Sequence, residues 1–455
     1  MTPEPGIARR ELRLRILSMI LPITAESVLQ MTAGFISMAI IGNKSTMAVV
    51  ALGLGSRITQ IVWALFRGIA TGASVFVAQA HGAGNPDRVR KVIVQTLLSA
   101  TVIVTLLGIL IYWQAPRLLG LFDPEPELTG SAALYLRTVL FGLPFMVITL
   151  VAAGAMQGMG NAKTPMKIAL IMNFANVILG YALIYGRLGR AIPSVMGAAL
   201  ALAISQLIAA ALSIYALCRR DGVLSPVGAA RLWRLNIREV RDIYRVGIPT
   251  SFEHVFWQIA ALILTRIILS YGETSLAAYQ LGLQAESISY TPAAGFGIAA
   301  TALIGQRLGA GQGELARTYF SEITKYTLFV TVCTALLLLL FPAPIMGLLT
   351  KEPEVIAIGA QYLFIMGLVQ LPQNLSGVLS GALRGAGFTR VPMVVAGLGL
   401  WGVRIPLAFV LTGCFHMGIT AIWIVLGLDL VFRFILSLIL YRTKNIYRNA
   451  VILSR

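Results

Sequence analysis

The chain has 455 residues, of which 57% are hydrophobic and only 12% are Asp, Glu, Lys or Arg, and its mean hydropathy is +0.82. A soluble domain has about 25% charged residues, so an ordinary soluble enzyme and a disordered chain are both excluded. The net charge of +18 would suggest nucleic acid in a soluble protein; in a chain this apolar it points to basic cytoplasmic loops. Three cysteines (Cys218, Cys333, Cys414) and three histidines are too few and too scattered for a disulfide framework or a zinc site, so neither a metal nor a cofactor is expected.

A membrane helix needs about 20 apolar residues. Twelve such stretches follow one another, at 14–41, 47–80, 89–114, 128–156, 162–186, 194–218, 240–271, 275–308, 316–348, 355–386, 390–412 and 418–441. The first is too long for a cleaved signal peptide. Pro22, Pro144, Pro249, Pro292 and Pro406 fall inside these spans, and such breaks are tolerated in lipid only where neighbours or water satisfy the freed carbonyls. A helix break is also expected near Gly68 and Gly72, close to Arg67.

Basic residues set the orientation. With the termini and even-numbered loops on one side, that side holds 25 Lys and Arg, from Arg9, Arg10 and Arg13 through Arg231, Arg234 and Arg238 to Arg448 and Arg455. The other side holds 5 (Lys44, Arg117, Arg187, Arg190 and Lys351), and six lie within spans. The bias puts both termini in the cytoplasm, and loop acids such as Asp123 and Glu125 lean outward.

The halves repeat at an offset of 227 residues. Pro22 and Glu26 recur as Pro249 and Glu253; the run from Gln79 to Gly84 recurs from Gln306 to Gly311; Gly158 to Met166 recurs as Gly385 to Met393. Between these, Leu52-Gly53-Leu54 matches Leu281-Gly282-Leu283, and Gly68-Ile69-Ala70 matches Gly297-Ile298-Ala299, at offset 229. This register makes Arg57 and Glu286 equivalent. Six spans per half give parallel repeats about an axis along the membrane normal, with a cavity expected between them. The expected architecture is an all-α polytopic membrane protein: an N-terminal lobe 1–218, a cytoplasmic linker 219–239 and a C-terminal lobe 240–455 with a short basic tail. These are two pseudo-symmetric six-helix lobes around a central cleft, the plan of an alternating-access transporter and not of an enzyme.

Charges within spans are few, and each costs about 2.5–3.5 kcal/mol at a helix centre on insertion scales, so they should face protein or water. Asp429 and Arg433 are four apart and can pair. Glu26 and Glu253 each follow a proline by four residues. Either carboxylate could carry a proton, or could cap backbone groups that the kink frees. Arg57 and Glu286 could form a gate or could each have a separate partner. Gln280, Gln284, Ser287 and Tyr290 share a helical stripe with Glu286. Gln157, Asn173, Asn176, Gln370, Gln373 and Asn374 interrupt apolar helices, where single amides often bond neighbouring helices. Trp63, Trp257, Trp401 and Trp423 could stack on a cation, or could face the interface or lipid. His254 points about 100° away from Glu253 on a helix. His81, His254 and His416 lie far apart, which disfavours a membrane-embedded enzyme.

The pattern resembles the multidrug and toxic compound extrusion (MATE) family over nearly the whole chain. The stretches that carry it are Leu21-Pro22 with Glu26 and Gly42, the run from Val77 to Asn85, the run from Gln157 to Pro165, Gly247-Ile248-Pro249, Gly295 to Thr301, Gly305 to Gly311, and Leu383 to Gly387. The resemblance implies a monomeric antiporter of the cytoplasmic membrane, expelling organic, often cationic, compounds and driven by proton or sodium entry. The chain departs from the family at four places. Ser37 stands where many members have a first-helix acid. Gly180 stands four after Asn176 where an Asp is frequent. Leu202 replaces a sixth-helix Thr, and Trp257 stands where other members have a Glu. Coupling is therefore expected to rest on Glu253, Glu286 and Glu26, with protons favoured over sodium. Ser37, Arg57, Gln157, Asn173, Asn176, Gln280, Gln284, Tyr290 and Arg404 are the expected substrate-cleft residues. The alternative is a flippase for a lipid-linked precursor, which would line its cleft with cations such as Arg57, Arg67 and Arg404.

Overall fold

A computed structural model of the chain describes residues 9–42, 46–120, 126–186, 193–225, 235–415 and 417–447. Lys44, Asp123, Glu125, Arg187, Arg190, Arg231, Arg234, His416, Arg448 and Arg455 lie outside the described residues, as does the middle of the 219–239 linker.

Every described element is a helix, because only internal bonding satisfies backbone polar groups in lipid. In chain order they are α1 (Arg9–Gly42), α2 (Thr46–Gly82), α3 (Pro86–Gly120), α4 (Pro126–Leu140), α5 (Leu143–Gly158), α6 (Lys163–Ile184), α7 (Ser194–Cys218) and α8 (Ile237–Leu269). Then come α9 (Glu273–Gly309), α10 (Gly313–Leu340), the short α11 (Pro342–Leu349), α12 (Pro353–Gly385), α13 (Arg390–Gly397), α14 (Ile405–Gly413) and α15 (Ile419–Lys444). Eleven stretches are long and apolar enough to cross a membrane, and α4 with α5 makes a twelfth, bent by 49°. The bend breaks the span expected over 128–156. Pro144 stands in the first turn of α5, and its missing N–H suits a helix start, not an interior.

The 390–412 span has a different irregularity. Between α13 and α14 lies a π-helical segment, Leu398–Arg404, directly before Pro406 in the first turn of α14. Proline cannot donate to the carbonyl one turn back, and the ladder widens before it. The break expected near Gly68 and Gly72 does not occur, for α2 runs unbroken through both. Those glycines instead let two backbones meet: a Cβ on Gly68 would lie 2.1 Å from Ser251 N, and one on Gly72 would lie 2.7 Å from Gly247.

The chain forms two compact units, one of residues 1–24 with 252–455 and the other of residues 25–251. They divide inside α1 and α8, not in the 219–239 segment. Contacts on either side of each cut explain why. In the first unit, the start of α1 is held through Arg15 to Gln306 (3.4 Å) and Arg13 to Glu322 (3.9 Å). In the second, the start of α8 is held through Lys91 to Glu239 (2.7 Å) and from Ser251 Oγ to the Leu65 carbonyl (2.5 Å).

Within each unit the repeat is visible as matched packing, and its register is 227 throughout. Gly55 faces the Tyr135 ring as Gly282 faces the Tyr362 ring. Gly154 meets the Ala70 carbonyl as Gly381 meets the Gly297 carbonyl, and Gly158 meets Ser74 as Gly385 meets Thr301. The helix-ending glycines Gly84 and Gly311, and Gly160 and Gly387, all have positive φ; the left-handed conformation closes the same capping turn at each. These contacts overturn the 229 offset read between Gly53 and Gly282. Two glycines stand near that place in α2, and the sequence match chose Gly53, although Gly55 is the one under the ring. Arg57 is therefore equivalent to Gln284, and Glu286 to Thr59.

The close crossings carry a test. A Cβ on Gly381 would sit 2.2 Å from the Gly297 carbonyl oxygen, whereas Gly377 has open space. Gly381→Ala is expected to cost about 1–3 kcal/mol through backbone displacement, lowering the thermal unfolding midpoint of the purified protein by several degrees. Gly377→Ala should leave it unchanged.

Candidate functional site

Each unit encloses a cavity, and the two occupy equivalent places in the repeat. Gln30, Gly34, Leu52, Ser56 and Tyr135 line the first. Their counterparts 227 residues on, Trp257, Ala261, Tyr279, Leu283 and Tyr362, line the second. The volumes are about 370 and 450 Å³, within the usual range for small-molecule sites.

The cavity in residues 25–251 has a neutral lining. Ser37 on α1 and Asn173, Asn176 and Gly180 on α6 face it, with Leu202 on α7. Ser37 Oγ donates to Asn176 Oδ1 at 2.9 Å. Thus Ser37, Asn173 and Asn176, singled out separately along the sequence, come together. Asn173 Nδ2 is buried without a hydrogen-bond partner.

The cavity in residues 252–455 is charged. Glu286 on α9 is 3% exposed and lines it with Tyr290, Tyr362, Gln373, Asn374 and Arg404. Tyr362 Oη donates to Glu286 Oε2 at 2.5 Å, and Gln370 Nε2 to Oε1 at 3.0 Å. Both donors come from α12 and are neutral, and among the described residues no Lys or Arg is ion-paired with Glu286. Asn374, one turn beyond Gln370, donates to Ser289 (3.2 Å) and Thr331 (3.1 Å), tying α12 to α9 and α10. The aromatic wall is built from Tyr279, stacked on Trp423 at 5.6 Å, with Tyr362 edge-on to both. Trp423 is fully buried and faces neither lipid nor interface.

Arg404, in the lining of the same cavity, belongs to a three-charge cluster. Asp429 Oδ2 is 2.7 Å from Arg433 Nη2, as the spacing of four residues implies, and also 2.8 Å from Arg404 Nε. Trp257 lies under both guanidinium groups, 5.1 Å from Arg404 and 4.4 Å from Arg433. The sequence paired Asp429 with Arg433 and named Arg404 as a cleft residue, but gave no sign that Arg404 shares Asp429 with Arg433. Tyr362 was likewise missed, because no local spacing links it to a carboxylate 76 residues earlier.

The other expected residues stand apart from these cavities. Glu253 and Arg384 form a part-buried ion pair at 2.5 Å. Glu26, half-buried, accepts only a long bond from Gln30 at 3.4 Å and has one oxygen, Oε2, buried without a hydrogen bond. The repeat accounts for the contrast, since Gln157 is the counterpart of Arg384 and carries no charge. Arg57 and Gln280 are exposed, and Gln157 and Gln284 are half-buried outside either lining. Arg67 stacks on Trp63 at 4.8 Å.

Comparison with known proteins follows the same duplication. The MatE family profile matches residues 22–182 and 249–410, two segments whose starts are 227 residues apart. The chain is 30% identical over 452 residues to "Probable multidrug resistance protein NorM" of Thermotoga maritima, covering 97% of this chain and 95% of that one. It is 26% identical to "Multidrug resistance protein PmpM" of Pseudomonas aeruginosa, covering 88% and 84%. A solved structure of a MOP superfamily transporter from Pyrococcus furiosus, described as having a binding pocket of reverse polarity, superposes with a TM-score of 0.88 over 95% of this chain and 96% of its own, at 19% identity. An outward-facing multidrug resistance MATE family transporter gives the same TM-score at 19% identity, covering 95% and 96%. With twelve spans, matched repeats and a profile covering most of both halves, the chain belongs to the MatE family and is a multi-pass membrane transporter.

Proposed function

We propose that this protein is a secondary active antiporter that exports organic compounds across the cytoplasmic membrane in exchange for protons, by alternating access of its two repeat halves, 1–218 and 240–455. It works as a monomer with both termini in the cytoplasm. The names of its relatives support multidrug export. The observation that carries the coupling is Glu286, a carboxylate buried within a membrane span, facing a cavity and bonded only by neutral donors.

A carboxylate so placed is neutralised by a proton or by an organic cation, and the two exclude one another. Competition at one group is sufficient for antiport: proton entry releases the cation, and cation binding expels the proton. Glu253 suits this role less well. Arg384 already neutralises it, and protonating it would leave a half-buried arginine unpaired, which is unfavourable. Glu26, whose nearby arginine is Arg67, is the second carboxylate of the scheme. Sodium suits Glu286 poorly, since it needs several oxygen ligands, whereas the neighbours bonded to this carboxylate, Tyr362 and Gln370, turn hydrogen-bond donors toward it. A flippase would present several cations to a phosphate, whereas Arg404 is the single cation lining either described cavity.

In proteoliposomes with an imposed pH gradient, Glu286→Gln is expected to reduce pH-driven efflux of a fluorescent organic cation at least about tenfold. Cation binding to the wild type should weaken as pH falls and become pH-independent in the variant. Glu253→Gln should keep the pH dependence. Undiminished pH-driven efflux in Glu286→Gln would remove it from the mechanism. For orientation, single cysteines placed at Arg220 and Lys351 in a Cys-free background should label oppositely in intact cells. The membrane-impermeant reagent should reach only the one at Lys351.

A further inference from the structure

Helices α6 and α7 pack along one another as an antiparallel hairpin, and the exposed surface of that hairpin is chemically graded. On α6, Lys163, Lys167, Leu170, Phe174, Ile178 and Tyr181 are exposed. They recur at spacings of three and four, so they share one face of the helix. Asn173, Asn176 and Gly180, which line the neutral cavity, lie on the opposite face. On α7, Ile204, Leu207, Ala211 and Tyr215 form a second exposed stripe, which the next step of four extends to Arg219. Each stripe is apolar along its helix and cationic at one end.

The two cationic ends coincide. A Cβ on Gly197 would lie 3.3 Å from Ile184 Cγ1, which sets the start of α7 against the end of α6. Lys163 and Cys218 are equally far from that crossing along their antiparallel helices, so Lys163 and Lys167 stand at the same end as Arg219 and Arg220. The turn that carries the arginines is fixed in shape. The chain reverses at Gly222, where a Cβ would lie 2.3 Å from the Leu217 carbonyl oxygen, and Leu224 N donates back to that carbonyl at 2.9 Å. Arg90 Nε on α3 donates to the Val223 carbonyl at 2.8 Å and braces the turn. Among the described residues none of the four cations is ion-paired. Asp87 is taken by Arg90 at 3.2 Å, and Asp221, next in sequence, offsets one cation of the four.

From Lys163 to Tyr181 the α6 stripe is about 27 Å long at 1.5 Å per residue, close to the roughly 30 Å of a bilayer's hydrocarbon core. The lysines therefore stand at the headgroup level of one leaflet, and Leu170 and Phe174 lie among its acyl chains. Tyr215 adds an aromatic ring of the kind that favours the interface. We propose that this end of the hairpin binds an anionic phospholipid of the cytoplasmic leaflet, its phosphate on Lys163, Lys167, Arg219 and Arg220 and its acyl chains along Leu170, Phe174, Leu207 and Ala211. Basic groups between membrane helices suit such headgroups. A soluble phosphate would meet the cations and leave both apolar stripes unused. The site is separate from the cavities, and its occupancy does not depend on the export reading.

The test titrates purified full-length protein in detergent with dioleoylphosphatidylglycerol or dioleoylphosphatidylcholine, which share acyl chains and differ in headgroup charge. Bound lipid is counted by native mass spectrometry. Wild type should bind the phosphatidylglycerol at least about tenfold more tightly. Combining Lys163→Gln, Lys167→Gln, Arg219→Gln and Arg220→Gln should bring the two lipids within about twofold of each other, with the thermal unfolding midpoint unchanged because all four positions are exposed. A second variant combining Arg238→Gln, Arg241→Gln, Arg317→Gln and Arg442→Gln removes the same charge at exposed positions elsewhere and should keep the wild-type preference. Equal binding of the two lipids by wild type overturns the proposal. So does a preference that persists in the first variant, and so does one lost equally in both variants, which would report overall charge and no site.

Discussion

Charge in a low-dielectric interior must be answered by charge or by hydrogen bonds, and the described interior of this protein is arranged around that requirement. An isolated ion there costs several kcal/mol even after relaxation. Asp429 exists beside two arginines, Glu253 beside one, and Glu286 between a tyrosine and an amide. These three arrangements differ in what they permit. An ion pair fixes the protonation state of both partners. A carboxylate with neutral donors keeps the freedom to take up a proton or a cation.

The duplication makes this legible by giving each position a counterpart in a differently charged setting. The two cavities share a plan down to the tyrosine that lies over a glycine, Tyr135 on Gly55 and Tyr362 on Gly282. Yet one is lined by Ser37, Asn173 and Asn176 and the other by Glu286 and Arg404. The same backbone scaffold has been given a neutral lining in one half and a charged lining in the other. The exchange of Thr59 for Glu286, and of Val177 for Arg404, between equivalent places makes the difference. The glycines that hold the scaffold are shared because close helix crossings admit no side chain, whereas the lining positions are free to differ.

The resemblance to the MATE family and the repeat explain which expectations transferred and which did not. Helix content and the paired Asp429 and Arg433 follow from local spacing, and the structure has them. The register near Gly53 did not survive. Apolar helices with frequent glycine offer several near-equal alignments, and only contact with the Tyr135 ring distinguishes Gly55 from Gly53. With that register went the equivalence of Arg57 and Glu286, the basis for reading them as a gate.

The sequence alone determined the membrane class, the count of spans, the bias of basic residues and the duplication. Each of these is written in composition or in periodicity along the chain. It also named the acids worth attention, because an apolar span can hold few. What each acid is for was decided only by tertiary structure. Glu26 and Glu253 read alike, each four residues after a proline, and differ because one meets an arginine 131 residues away where the other's counterpart is Gln157. Glu286 acquired its tyrosine, and Arg404 its half-share of Asp429, from helices far along the chain. Partners separated by that distance leave no mark in local spacing, so the protonation and binding properties of these groups arise only when the helices pack.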